Sequence, residues 1–191
     1  MPLGRPALFL AALCCIGLSA QDKTIDVHRS SISIHVGKAG ILSMAGHEHW
    51  VEAPISAGVL NDTGPLHVEF TVDAARMTVK PDPKVDAKTQ AEIQKDMQEK
   101  TLESARFPHI TFRSSSVRKQ AEGQWTVSGA LTLHGITKPI TVAVRRSGNA
   151  YTGHTTLKQT DFGIKPITAA GGAVKVRNEL EIEFQIVATE R

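Results

Sequence analysis

Period-two alternation of apolar and polar side chains is the feature that most narrows what this chain can fold into. Past Pro108 the apolar positions fall on every second residue: Ile110 and Phe112, then Trp125, Val127, Leu131 and Leu133, then Ile140, Val142 and Val144. In an extended strand this spacing sends one set to one face and the residues between, such as Thr111 and Arg113, to the other. A strand of that kind is half-buried and belongs in an antiparallel sheet. Gly135 lies between two of these runs, so the chain reverses there, and Lys138-Pro139 opens the next strand where a missing N–H is tolerated.

The pattern extends along the chain. Residues 24–37 place Ile32, Ile34 and Val36 on one face, with Ser33 and His35 on the other. Residues 55–60 and 66–72 flank the turn Asn61-Asp62-Thr63-Gly64-Pro65, a hairpin signal. A short piece at 77–79 stops at Lys80-Pro81-Asp82-Pro83, because proline has no ladder donor. Further strands are expected at 109–119, 124–134, 137–146, 151–158 and 174–187. One helix is expected at 87–103, a stretch rich in Lys, Gln and Glu without Gly or Pro. Its stripe of Ile93 and Met97 is thin, so the helix should rest on the sheet rather than build a core. Eight or so strands with short turns describe a meander, and closing it into a barrel removes the exposed edges. The fold class is all-β with one helix.

Particular segments carry a family resemblance. Phe107-Pro108-His109-Ile110-Thr111-Phe112-Arg113-Ser114, followed by Gly129-Ala130-Leu131-Thr132-Leu133-His134-Gly135-Ile136-Thr137-Lys138-Pro139-Ile140-Thr141, resembles the ordered motifs of the YceI family. Thr160-Asp161-Phe162-Gly163-Ile164 is similar to that family's Asp-Phe-Gly segment, and Asn178 to Ile186 to its closing strand. Ile25-Asp26-Val27-His28-Arg29-Ser30 is similar to its opening motif, with Arg29 intervening. The resemblance implies an extended, antiparallel, lipocalin-like eight-stranded β-barrel whose apolar lumen holds a long isoprenoid or other lipid tail, without catalysis.

The one-face apolar set Val68, Phe70, Ile110, Phe112, Val127, Leu131, Leu133, Ile182 and Phe184 is the candidate ligand surface. From the residues alone it is an ordinary packed core, since any barrel needs inward apolar side chains. The resemblance turns it into a lumen wall, and a tail taken out of water would gain about 0.8 kcal/mol per CH₂. A second constellation is Gly46-His47-Glu48-His49-Trp50. His47 and His49 should share a strand face, as candidate contacts with Trp50 to a ligand headgroup at the barrel mouth. Their spacing is also that of a two-histidine metal chelate, with His28, His35 or His154 as third ligand. Metal binding or a metalloenzyme on His47 and His49 is therefore an alternative, although the helical His-Glu-x-x-His spacing is absent. A further alternative is a structural or stress-protective module with a packed core. No nucleophile elbow, phosphate loop or dinucleotide fingerprint occurs, and no cofactor is expected.

Residues 1–20 join Arg5 to an apolar run over 7–18 and small residues before Gln21, the layout of a secretory signal peptide. One domain over 21–191 is then expected in the periplasm or the medium, without stable membrane insertion. That run is shorter than the ~20 apolar residues a spanning helix needs. Cys14 and Cys15 both lie inside it, so core burial and not disulfides must hold the mature chain. With 22 Lys+Arg against 19 Asp+Glu and 5% aromatics, nothing recommends nucleic acid as a partner. The sequence leaves a homodimer open.

Overall fold

The computed structural model describes residues 21–39, 48–169 and 174–189. Residues 1–20, the expected signal peptide, and His47 lie outside them. Twelve strands form one antiparallel sheet: β1 Lys23–Ile25, β2 Ser31–Ala39, β3 His49–Glu52, β4 Ile55–Asn61, β5 His67–Asp73, β6 Thr78–Val79, β7 His109–Ala121, β8 Gln124–Leu133, β9 Ile136–Ser147, β10 Ala150–Lys158, β11 Thr168–Ala169 and β12 Val174–Thr189. Pairing runs β1-β4-β5-β7-β8-β9-β10-β12 and returns to β1 through Thr24↔Thr189 and Ile25↔Ala188, so the sheet is a closed eight-stranded barrel. The barrel expected from the alternation is the one observed.

Three of the eight staves are broken in two, which the alternation did not reveal. The first continues from β1 into β2, the second from β3 into β4, the third from β5 into β6, and β2–β3 and β3–β6 repeat the neighbour relations of β1–β4 and β4–β5. Each break has a local cause. The Asp26 carboxylate accepts from the N–H groups of His28 (3.0 Å) and Arg29 (3.1 Å), curling the chain after β1. Ser30 then stitches the break to the closing strand, its hydroxyl accepting from the Val187 N–H at 2.9 Å. Pro54 separates β3 from β4, and a 3₁₀ turn at Ala74–Arg76, capped by Asp73 on the Ala75 N–H at 3.0 Å, separates β5 from β6.

The hairpin between β8 and β9 has only His134 (φ 51°) and Gly135 (φ 74°) at its tip, the paired positive φ of a tight two-residue turn. Lys138 and Pro139 consequently lie within β9 rather than at its start. The β4–β5, β7–β8 and β9–β10 hairpins gather at one end of the barrel. The β8–β9 hairpin and the long connection 80–108 stand at the other. We call these the hairpin end and the loop end.

Among the described residues the expected helix is the only α-helix, α1 Ala87–Asp96, continued by a π turn at Met97–Thr101. Asp86 caps it, accepting from the Lys88 and Thr89 N–H groups at 3.0 Å each. The expectation that it merely rests on the barrel needs correction: Met97 is buried, and Ile93, Met97 and Leu102 form part of the inner wall. No described helix is long and apolar enough to cross a membrane.

Candidate functional site: the barrel lumen

Inward side chains of every stave enclose a continuous cavity of about 290 Å³, at the lower edge of the ~300–1,000 Å³ usual for ligand pockets. Val68, Phe70, Ile110, Phe112, Val127, Leu131, Leu133, Ile182 and Phe184 all stand on its wall. The alternation places them there, since a closed sheet has one inner face. Large aromatics could fill such a bore, and two of them are kept to its side by glycine. A Cβ on Gly129 would lie 2.6 Å from the Phe112 Cζ, and one on Gly153 2.5 Å from the Phe184 Cζ. Each ring therefore lies flat against a neighbouring strand in space that a bare backbone provides. Phe70 and Phe112 tilt against each other at 5.6 Å between centroids.

The hairpin end is closed by polar chemistry. Asp62, its carboxylate 6% exposed, takes the Lys23 ammonium at 3.0 Å, the Arg146 guanidinium at 2.6 Å and the Tyr151 hydroxyl at 2.7 Å. Burial pushes its pKa upward, but hydrogen bonds from Tyr151 and Lys23 and the charges of Lys23 and Arg146 prevail and hold it below its ordinary value. The same burial, with Asp62 alongside, pushes the Tyr151 hydroxyl far above its usual range. Asn61 accepts from the Thr63 (3.1 Å) and Gly64 (2.7 Å) N–H groups to form the adjoining turn. Sequence reading treated Asn61 and Asp62 as turn formers only; the network was hidden because its cations come from 39 residues before and 84 residues after Asp62 in the chain.

At the loop end His49 faces the cavity, opposite Val36 on β2. Trp50, the next residue, necessarily faces outward. It is 40% exposed and stacked on His35 at 4.8 Å, away from the lumen. His35 lies between Glu48 and Glu181 at 3.3 Å on this outer face, and His154 stands on the same face of β10, beyond β12. The histidines considered as third metal ligands thus stand across the wall from His49 or, for His28, in the turn after β1. Among the described residues no group of three His, Cys, Asp or Glu side chains is arranged to hold a metal.

Several residues of the segments that carry the family resemblance, Phe107, His134, Gly135 and Phe162, are architectural. The His134 ring contacts Glu103 (2.9 Å) through Nε2 and the Phe162 carbonyl (3.3 Å) through Nδ1, and it packs on Phe107 at 4.4 Å. One imidazole thereby clasps the end of the helical segment, the β8–β9 hairpin and the turn at Gln159–Phe162. Gly135 admits the Phe107 ring, whose Cε1 would be 2.6 Å from a Cβ.

Comparisons with known proteins agree with this geometry. The family model described as YceI-like domain matches residues 24–188. A UPF0312 protein of Shewanella oneidensis is 29% identical over 163 residues, 78% of this chain and 80% of the relative. One from Pseudomonas savastanoi pv. phaseolicola is 33% identical over 94 residues, 44% of this chain and 47% of the relative. Two solved structures share the fold. A polyisoprenoid binding domain from Saccharophagus degradans, implicated in plant cell wall breakdown, superposes with TM-score 0.60 at 13% identity, covering 88% of this chain and 98% of its own. Burkholderia cenocepacia BcnA gives 0.57 at 20% identity, covering 86% and 99%.

Proposed function

The chain belongs to the YceI-like domain family, and from that premise we propose that it is a non-catalytic carrier or sequestering protein for an amphiphilic lipid, a polyisoprenoid above all, whose tail occupies the barrel lumen. The observation that carries this reading is the apolar cavity itself, walled by aliphatic and aromatic side chains and left open by the two glycine-seated phenylalanines. Val68, Phe70, Ile110, Phe112, Val127, Leu131, Leu133, Ile182 and Phe184 contact the tail, and His49 adds a polar group to the wall at the loop end. The solved polyisoprenoid binding domain of the same fold lends support. Binding needs no reacting group. Removal of CH₂ groups from water, about 0.8 kcal/mol each, drives it, and bore length and width select the guest. Residues 1–20 act as a signal peptide, and the mature domain 21–191 works in the periplasm or outside the cell.

The test is to express the full chain in a bacterium that exports it, purify it from the periplasm and extract it with organic solvent for mass spectrometry. A stoichiometric long-chain isoprenoid is expected. Added isoprenoid should also raise the melting temperature of delipidated protein through ligand linkage. Protein that carries no lipid and gains no thermal stability from any long-chain alcohol would overturn the reading.

A further inference from the structure

The barrel wall parts between β9 and β10. Their ladder runs only from Ala150↔Ser147 to Gly153↔Val144, yet β9 reaches back to Ile136 and β10 on to Lys158, each still paired with its other neighbour. Continued at the same register, the ladder would set Thr155 against Val142 and Leu157 against Ile140. Inner-face positions of β9 report the parting directly: Val142 is buried, Ile140 half-buried, Lys138 exposed and Ile136 37% exposed. On β8 the same face stays buried at Val127, Leu131 and Leu133. Pro139 fits the picture. The β8–β9 ladder continues past it, so its missing donor is accommodated on the edge facing β10.

Lys138 belongs to the lumen face, because its cross-strand partner Leu131 lines the cavity. Among the described residues no carboxylate pairs with it. Beyond the slot, Thr155 puts a hydroxyl on an otherwise apolar stretch of wall. We propose that the slot between β9 and β10 is where the polar head of the bound lipid leaves the lumen, and that Lys138 holds an anionic head there, a phosphate or carboxylate. This rests on the lipid-carrier reading and names the class of lipid it takes. Lys138 follows Ile140 on the lumen face of β9, one inward position beyond the cavity lining, so tail burial and head pairing add. Since Lys138 is exposed, the pairing is partly screened, a preference of about two- to fivefold.

The experiment compares geranylgeranyl monophosphate with geranylgeraniol, titrated against delipidated protein by calorimetry at low salt. Wild type should favour the phosphate by about two- to fivefold, and 0.5 M salt should shrink that preference. Lys138→Gln should remove it while leaving the alcohol affinity unchanged, and Lys138→Arg should restore it. Inorganic phosphate at equal concentration should displace neither lipid. Equal phosphate preference in wild type and Lys138→Gln would overturn the assignment, as would displacement by inorganic phosphate, which would reduce Lys138 to a surface ion site. If wild type binds neither lipid, the carrier reading itself fails; if it binds the alcohol without preferring the phosphate, only the head assignment does.

Discussion

Between β6 and β7 the wall also parts, and there α1 is laid over the gap. The β5–β7 ladder ends at Asp73↔His109, while β6 pairs only with β3. Gln94 accepts from the Val79 N–H at 2.7 Å and donates to the Met77 carbonyl at 2.9 Å. Gln98 donates to the carbonyls of Met77 (2.9 Å) and Ala74 (3.1 Å), and Gln90 lies beside those of Val79 and Lys80 at 3.5 Å. Three glutamines four residues apart thus replace the missing strand, and Ile93 and Met97 complete the inner wall beneath them. Across the β9–β10 parting the Gln159–Phe162 turn reaches β9 at the loop end, and among the described residues no helix is laid over the rest. An unpaired strand edge can be met with helical side chains where the wall must hold. The matching edge of β9 carries no such helix, and it is there that we propose the lipid head passes.

Breaking either side of this contrast should have graded effects. Phe162, 2% exposed, anchors the turn at the top of the open slot, and Phe162→Ala should cost about 3–5 kcal/mol in urea denaturation. The double variant Gln94→Ala, Gln98→Ala strips the sealed gap of its partners. It should cost about 2–4 kcal/mol and raise hydrogen exchange at the Val79 amide, whereas an unchanged unfolding midpoint would mean that the seal is not structural. The fully laddered hairpin end supplies a control. Because Asp62 titrates below its ordinary 3.8 when folded, its stabilisation is present above about pH 3.8 and is lost as pH falls through the lower folded value. Asp62→Asn should therefore be less stable than wild type at neutral pH by about 1–2 kcal/mol, with the difference narrowing in acid. Lys138→Gln should change stability by less than about 0.5 kcal/mol, since among the described residues no carboxylate pairs with its ammonium. A larger loss would mark the slot as part of the scaffold.

Much of the barrel was legible because period two is unambiguous over long strands such as β7 to β10, and a closed sheet leaves a single choice of inner face. All nine wall residues could be placed for that reason. What stayed hidden depended on side chains meeting across the sheet. Gln90, Gln94 and Gln98 read as solvated helix positions, because nothing in a helical period says that a strand edge waits opposite. Trp50 was grouped with His49 by adjacency in sequence, although adjacent residues of a strand face opposite ways. The slot had one written sign, Pro139, but a proline in a strand marks a free edge without saying which neighbour has departed. The break at Asp26 shifts the phase, the inward set passing from Ile25 to Ile32, but β1 is only three residues long and too short to set a phase of its own.

The closing seam has a kinetic consequence. Every other stave pairs with its neighbour in sequence, so those contacts can accumulate as the chain emerges, but β12 must find β1 and β2 across almost the whole polypeptide. Ring closure therefore waits for the last sixteen-residue strand. A chain truncated before Val174 would be left with bare edges on β1, β2 and β10, poised to recruit one another between molecules.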